Sequence, residues 1–160
     1  ELLRQELESL GGVRPGTDPG PQDPRKLEIL REMVTIYRDR MAVEPMVVTA
    51  GESVLLTLEW RADAPVPVDY TVYTHLLAPD GTLIAQSDSQ PVGGTRPMTG
   101  WAAGEIVRDQ YAIVVPASAP VGEGYTLRVG LYDLATLQRA TLVGSDVDGV
   151  HVGSVQVVAP

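Results

Sequence analysis

The 160-residue chain contains no cysteine and no phenylalanine, and it has one lysine, two histidines and two tryptophans. The absence of cysteine removes disulfides, thiolate metal sites, iron–sulfur ligation and thiol nucleophiles together, so the fold rests on packing alone. Positive charge is also scarce. Twelve basic against 21 acidic side chains leave a formal net charge of −9, which denies the chain the basic face that nucleic-acid phosphates or anionic lipids require. No apolar run approaches the roughly 20 residues of a membrane-spanning helix. The chain opens at Glu1 without a charged leader and apolar stretch, as expected of a mature product or an excised piece. Turn formers and aliphatics are abundant, with 16 glycines, 13 prolines and 44% hydrophobic residues. That composition implies a folded domain with many chain reversals.

Residues 1–45 differ from the remainder. Leu3, Leu7 and Leu10 recur at helical spacing and are stopped by Gly11-Gly12, the pattern of a short helix with a glycine C-cap. Residues 13–24 (VRPGTDPGPQDP) form a Pro/Gly-rich connector. Asp23 then offers an N-cap and Pro24 a first helical position, after which Leu27, Leu30, Val34, Tyr37 and Met41 follow at intervals of three and four. These features predict an amphipathic helix ending near residue 42, since Pro45 holds its predecessor extended.

From residue 46 the hydrophobic period changes to two. SVLLTLEW sets Val54, Leu56, Leu58 and Trp60 on one face, and DYTVYTHLLA sets Tyr70, Val72, Thr74 and Leu76 against Thr71, Tyr73, His75 and Leu77. Asp80-Gly81 is a hairpin turn into TLIAQSD. IVRDQYAIVV alternates with Asp109 as an interruption, and YTLRVGLYD, MVVT, RATLV near residue 139 and VHVGSVQVV are further strands. Seven or eight short strands without helical crossovers predict a mainly β fold, an antiparallel two-sheet β-sandwich of Ig-like or jelly-roll-like form, with a barrel as the alternative. The predicted organisation is a helical extension over 1–45 and a sandwich over 46–160. Charge follows the same division: 9 acidic and 7 basic residues before residue 46 (net −2), and 12 and 5 after it (net −7).

The ordered motifs L-x-W at 58–60, DYTVYTHLLAPDGTLIAQSD at 69–88, PVGGTRPMTGW at 91–101, GEIVRDQY at 104–111 and P-x-G-x-G-Y-x-L-x-V-G-L-Y-D at 120–133 carry a resemblance. Residues 46–158 resemble the C-terminal extracytoplasmic β-sandwich module that follows the membrane portion of many bacterial lipid-linked-sugar-dependent glycosyltransferases. The resemblance implies an accessory, extracytoplasmic module in a secreted or cell-surface setting. It implies no transferase activity, because the catalytic acids of such enzymes belong to the membrane portion that this chain lacks.

Four residues are candidate ligand contacts. Arg96 offers a planar donor fork and Trp101 a flat apolar face in the long connection at 89–104, while Tyr73 and His75 share the non-core face of their strand. Tyr73 and Trp101 would form a stacking platform if they lie on one side. The structural alternative is that Trp101 closes one end of the sandwich and Arg96 pairs with Asp88 or Asp109. Asp146 and Asp148, followed by Gly149, have a spacing at which two carboxylates share a calcium ion, and also the letters of an ordinary Asx turn. G-x-G at 122–124 has neither a following helix nor a partner lysine, so it is a turn rather than a phosphate cradle. No metal site, cofactor or catalytic constellation is expected; a Ser/His/Asp set lacks a G-x-S-x-G elbow. The expected function is non-catalytic surface recognition, with glycans or a protein as ligand. The alternative is a self-assembling subunit, an oligomer or filament, joined through strand edges and through Leu27, Leu30, Val34 and Tyr37.

Overall fold

The computed structural model describes residues 26–29, 34–38, 46–141 and 147–160. Among them are nine strands: β1 (Lys26–Ile29), β2 (Val34–Arg38), β3 (Met46–Thr49), β4 (Ser53–Ala62), β5 (Thr71–Leu77), β6 (Leu83–Ser89), β7 (Ile106–Val114), β8 (Gly122–Tyr132) and β9 (Val150–Val158). They form a four-stranded sheet in the order β1-β2-β4-β7 and a five-stranded sheet in the order β3-β9-β8-β5-β6.

Period-two alternation decides which side chains meet. In β4, Val54, Leu56, Leu58, Trp60 and Ala62 are buried while Leu55, Thr57, Glu59 and Arg61 point outward. The alternation in β7 buries Val107, Asp109, Tyr111 and Ile113. β8 adds Tyr125, Leu127, Val129 and Leu131, and β9 adds Val150, Val152, Val155 and Val157, so both sheets feed one hydrophobic core. The β5–β6 hairpin forms as its letters predict: Gly81 takes φ +86°, and the Asp80 carboxylate accepts the Thr82 N–H at 2.9 Å.

Three expectations are corrected. The helix predicted over residues 24–42 is not formed, because Lys26–Ile29 and Val34–Arg38 are antiparallel strands. Val34-Thr35-Ile36-Tyr37 is a β-branched and aromatic run whose letters satisfy both periods. The open edge of β4 decides between them, with Val34 opposite Ala62 and Ile36 opposite Trp60. The predicted helix over residues 3–10 and the connector at 13–24 lie outside the described residues. Second, pairing is not wholly antiparallel, since β3 runs parallel to β9. Third, Arg139 makes only an isolated bridge to Tyr132 rather than opening a strand.

Among the described residues one carboxylate lies inside the core. Asp109 is 1% exposed, and its carboxylate accepts the Trp60 indole N–H at 3.1 Å, the Tyr111 hydroxyl at 2.6 Å and the Val92 backbone N–H at 2.8 Å. Three donors from β4, β7 and the β6–β7 connection thus compensate its loss of water. Val92 holds a left-handed conformation, φ +55°, a strained choice for a β-branched residue that leaves its N–H on Asp109. Tyr111 stays protonated: burial, then the neighbouring Asp109, drives its pKa far upward. Asp109→Ala leaves the indole and phenol donors buried without acceptors and should lower unfolding stability by about 3 kcal/mol, whereas Asp109→Asn, which keeps an acceptor, should cost less. Urea unfolding followed by tryptophan fluorescence checks the order; equal stability of Asp109→Ala and the parent would show that the carboxylate ties nothing together.

Candidate functional site

The β6–β7 connection is built inward. Met98 and Trp101, 0% and 4% exposed, enter the core, and the Trp101 indole N–H donates to the Arg96 carbonyl at 3.0 Å. Arg96 pairs with Glu105, rather than with Asp88 or Asp109. Glu105 also accepts the Ala102 N–H at 2.9 Å, and these contacts hold its carboxyl below the usual carboxylate range. The Thr99 N–H is held by Asp69 at 2.9 Å. Trp101 therefore serves as a core plug with its ring face covered.

Tyr73 is equally covered, at 1% exposed, but on the opposite face of β5 from Val72, Thr74 and Leu76, outside the inter-sheet core. Its hydroxyl donates to the Asp148 carbonyl at 2.5 Å. Its ring lies 4.6 Å from that of His75 and 6.5 Å from that of Tyr132, centroid to centroid. The Arg139 guanidinium sits 4.7 Å over it, in cation–π geometry. Gly130, opposite Tyr73 in the ladder, and Gly149 leave the room that the phenol fills, since a Cβ at either position would overlap it. The stacking platform expected of Tyr73 and Trp101 is consequently not assembled. One ring plugs the core, and the other forms the floor of a polar cluster on the outer face of the five-stranded sheet.

Around that floor, strand register builds a row. His75 stands opposite Gln86 of β6 and Arg128 of β8, and Arg128 stands opposite His151 of β9. A register shift in the β8–β9 ladder beside Arg128 sets His151 there. Gln86, His75, Arg128 and His151 thus cross four strands at about 4.8 Å per step. Gln86 and His151 are exposed, and His75 and Arg128 are half-buried. Burial keeps the His75 imidazole below its ordinary pKa; Asp88 and Asp148 oppose that shift, while Arg139 and Arg128 reinforce it. Burial likewise raises the Tyr73 phenol.

Asp148 is a hub of ion pairs. It engages Arg128 with one oxygen and Arg139 at 3.2 Å with the other, so the calcium alternative loses this ligand to two guanidinium groups; Asp146 lies outside the described residues. Among the described residues no group of three or more His, Cys, Asp or Glu side chains is placed to hold a metal ion. No helix of the described residues is long and apolar enough to cross a membrane. Of the predicted assembly residues, Leu27 lies in β1 and Val34 and Tyr37 in β2, so no helical stripe presents them, and Leu30 is outside the described residues.

Residues missed at sequence level had weak signals. Arg128 and Gly130 occupy outward positions of YTLRVGLYD, and a glycine inside an alternating strand marks close approach. Asp109 occupies an inward position between Val107 and Tyr111, where a carboxylate implies buried donors. His151 gave no signal, because its alignment with Arg128 depends on the register shift.

No family model matches the chain, and no curated protein matches it. Among solved structures, the chain is similar to part of a β-glucuronidase from glycoside hydrolase family 2, at 11% identity and a TM-score of 0.38. The match covers 74% of this chain and 10% of that one, so the chain spans about a tenth of that protein's length.

Gly130→Ala should destabilise the fold by about 2 kcal/mol through overlap with Tyr73. In a Tyr73→Leu background the same change should cost far less, a coupling that a double-mutant cycle of denaturant unfolding measures. His75 adds a pH dependence. Its folded pKa is depressed below the ordinary 6.5, so the unfolded chain takes up the proton first and stability rises with pH across that window. Stability should fall as pH drops below about 6.5, until the folded pKa is passed. His75→Gln should flatten that part of a melting-temperature profile; an unchanged slope would clear His75 of the effect.

Proposed function

We propose that the chain is a non-catalytic recognition module, its two sheets forming a β-sandwich, which binds a glycan on the outer face of the five-stranded sheet. The row Gln86, His75, Arg128 and His151 carries this reading: four polar side chains in mutual register on a sheet face, over a floor fixed by Tyr73. Amide, imidazole and guanidinium groups are donors and acceptors at fixed spacing, the chemistry that sugar hydroxyls require. Because Tyr73 and Trp101 are buried, neither offers a ring face, and the row recognises its ligand by hydrogen bonding. Of the four candidate contacts, His75 is retained, and Gln86, Arg128 and His151 join it. An extracytoplasmic setting, as the resemblance to the glycosyltransferase-associated module implies, belongs to the same proposal.

A glycan array probed with the intact chain tests the function. The expected result is binding to a restricted set of glycans, with Gln86→Ala and His151→Ala each weakening it by about tenfold, the range of one charged or well-placed hydrogen bond. Both positions are exposed, so the fold should be spared. Retention of full affinity by the double variant would move the site elsewhere, and an empty array would end the glycan reading.

A further inference from the structure

The charge balance around the row points to a narrower ligand class. Both histidines of the chain, out of 160 residues, fall on this one row, with Arg128 between them. The groups facing His75 are Asp88 from β6, Arg128 from β8, His151 from the next strand, Arg139 and Asp148 from the segment covering Tyr73, and Tyr73 itself. Among the described residues facing His75, Arg128 and Arg139 balance Asp88 and Asp148, so these groups sum to zero while both imidazoles are neutral. Each imidazole protonation then adds one uncompensated positive charge. Asp148 is already committed to the two arginines, which among the described residues facing His75 leaves the exposed Asp88 as the opposing carboxylate.

We infer that this face is a pH-gated anion site whose ligand is a uronic-acid-bearing glycan, its carboxylate received by His75, Arg128 and His151. The inference rests on the glycan-recognition reading above and names its ligand class. The remainder of the chain limits how much charge the ligand carries: a protein at net −9 repels densely charged polyanions such as nucleic acids. A short saccharide carrying one or two carboxylates suits a local site of two added charges. Thr126, opposite both Leu77 and Ser154, continues the same face one step along the strands, and its hydroxyl and that of Ser154 are further partners for sugar hydroxyls. Uronate carboxyls remain ionised well below the histidine range, so acidification charges the site without discharging the ligand.

The experiment is calorimetric titration of the intact chain, at low salt, with digalacturonate and with its dimethyl ester, which has the same sugar backbone but no charge. Binding of the acid form should be about tenfold tighter at about pH 5.5 than at about pH 7.5, as expected for one or two added charges at a half-exposed site. His151→Gln and His75→Gln should each remove part of that gain. Asp88→Asn should bring binding of the acid form to neutral pH, since it leaves one uncompensated arginine. Because Asp88 supports protonation of His75, the same variant should also move the remaining acid gain to lower pH. Circular dichroism at both pH values confirms that each variant is folded. Equal binding of acid and ester at both pH values would overturn the charged-ligand inference and leave glycan recognition standing. Binding of neither, with an empty array, would overturn both, and an acid gain that survives both histidine variants would overturn the site.

Discussion

The buried carboxylate of Asp109 is the constraint on which the arrangement of the described chain depends. Placing a carboxylate at an inward position of β7 would cost several kcal/mol without partners. The cost is offset only if Trp60, Tyr111 and the backbone at Val92 converge on it. Satisfying it joins β4 to β7 side chain to side chain and draws in the start of the β6–β7 connection. From there the backbone continues to Met98 and Trp101, which enter the core, and to Glu105, which secures Arg96 and the Ala102 N–H. A connection of this length is anchored by Met98 and Trp101 in the core, so its tryptophan is taken up in structure, while Arg96 stays exposed beside Glu105.

The outer face of the five-stranded sheet follows a second and independent rule. Tyr73 is a large side chain on the solvent side of a central strand, and it is buried because two glycines make room and because Asp148 and Arg139 close over it. The result is a closely packed floor beneath polar groups. Ion pairs and a cation–π contact hold the segment 147–149 against the sheet, so that His75 is half-buried without being in the hydrophobic core. Its imidazole is disfavoured as a cation by desolvation while carboxylates nearby favour it, the balance in which a small change of surroundings alters a histidine's charge. The same face therefore combines close packing around Tyr73 with a histidine whose charge responds to its neighbours.

These two regions divide the labour of the fold. The inter-sheet core and Asp109 specify the strand arrangement, and the face carrying Tyr73 and the cross-strand row offers chemistry without contributing to that core. Substitutions at Asp109 or Gly130 act on the fold, whereas the exposed Gln86 and His151 stand outside its packing, and the two classes separate in experiment.

Much of the strand content was legible because period-two alternation is local: β4, β5, β6, β7 and β9 appear where Val, Leu, Ile and Tyr alternate with polar residues, and the Asp80-Gly81 turn follows from two residues alone. The outward position of His75 was equally readable. Residues 26–29 and 34–38 are ambiguous in sequence because their apolar letters satisfy helical and strand periods together, and the choice falls to the free edge of β4, a partner distant in sequence. Charge and composition by themselves determined a cysteine-free, acidic, β-rich chain. Only the tertiary structure decided that Trp101 and Tyr73 are buried, that Arg96 meets Glu105, that Asp148 holds two arginines, and that a register shift brings His151 beside Arg128. The physical reason is that alternation states which face a residue occupies, while cross-strand register and loop closure, which are long-range, state what it meets there.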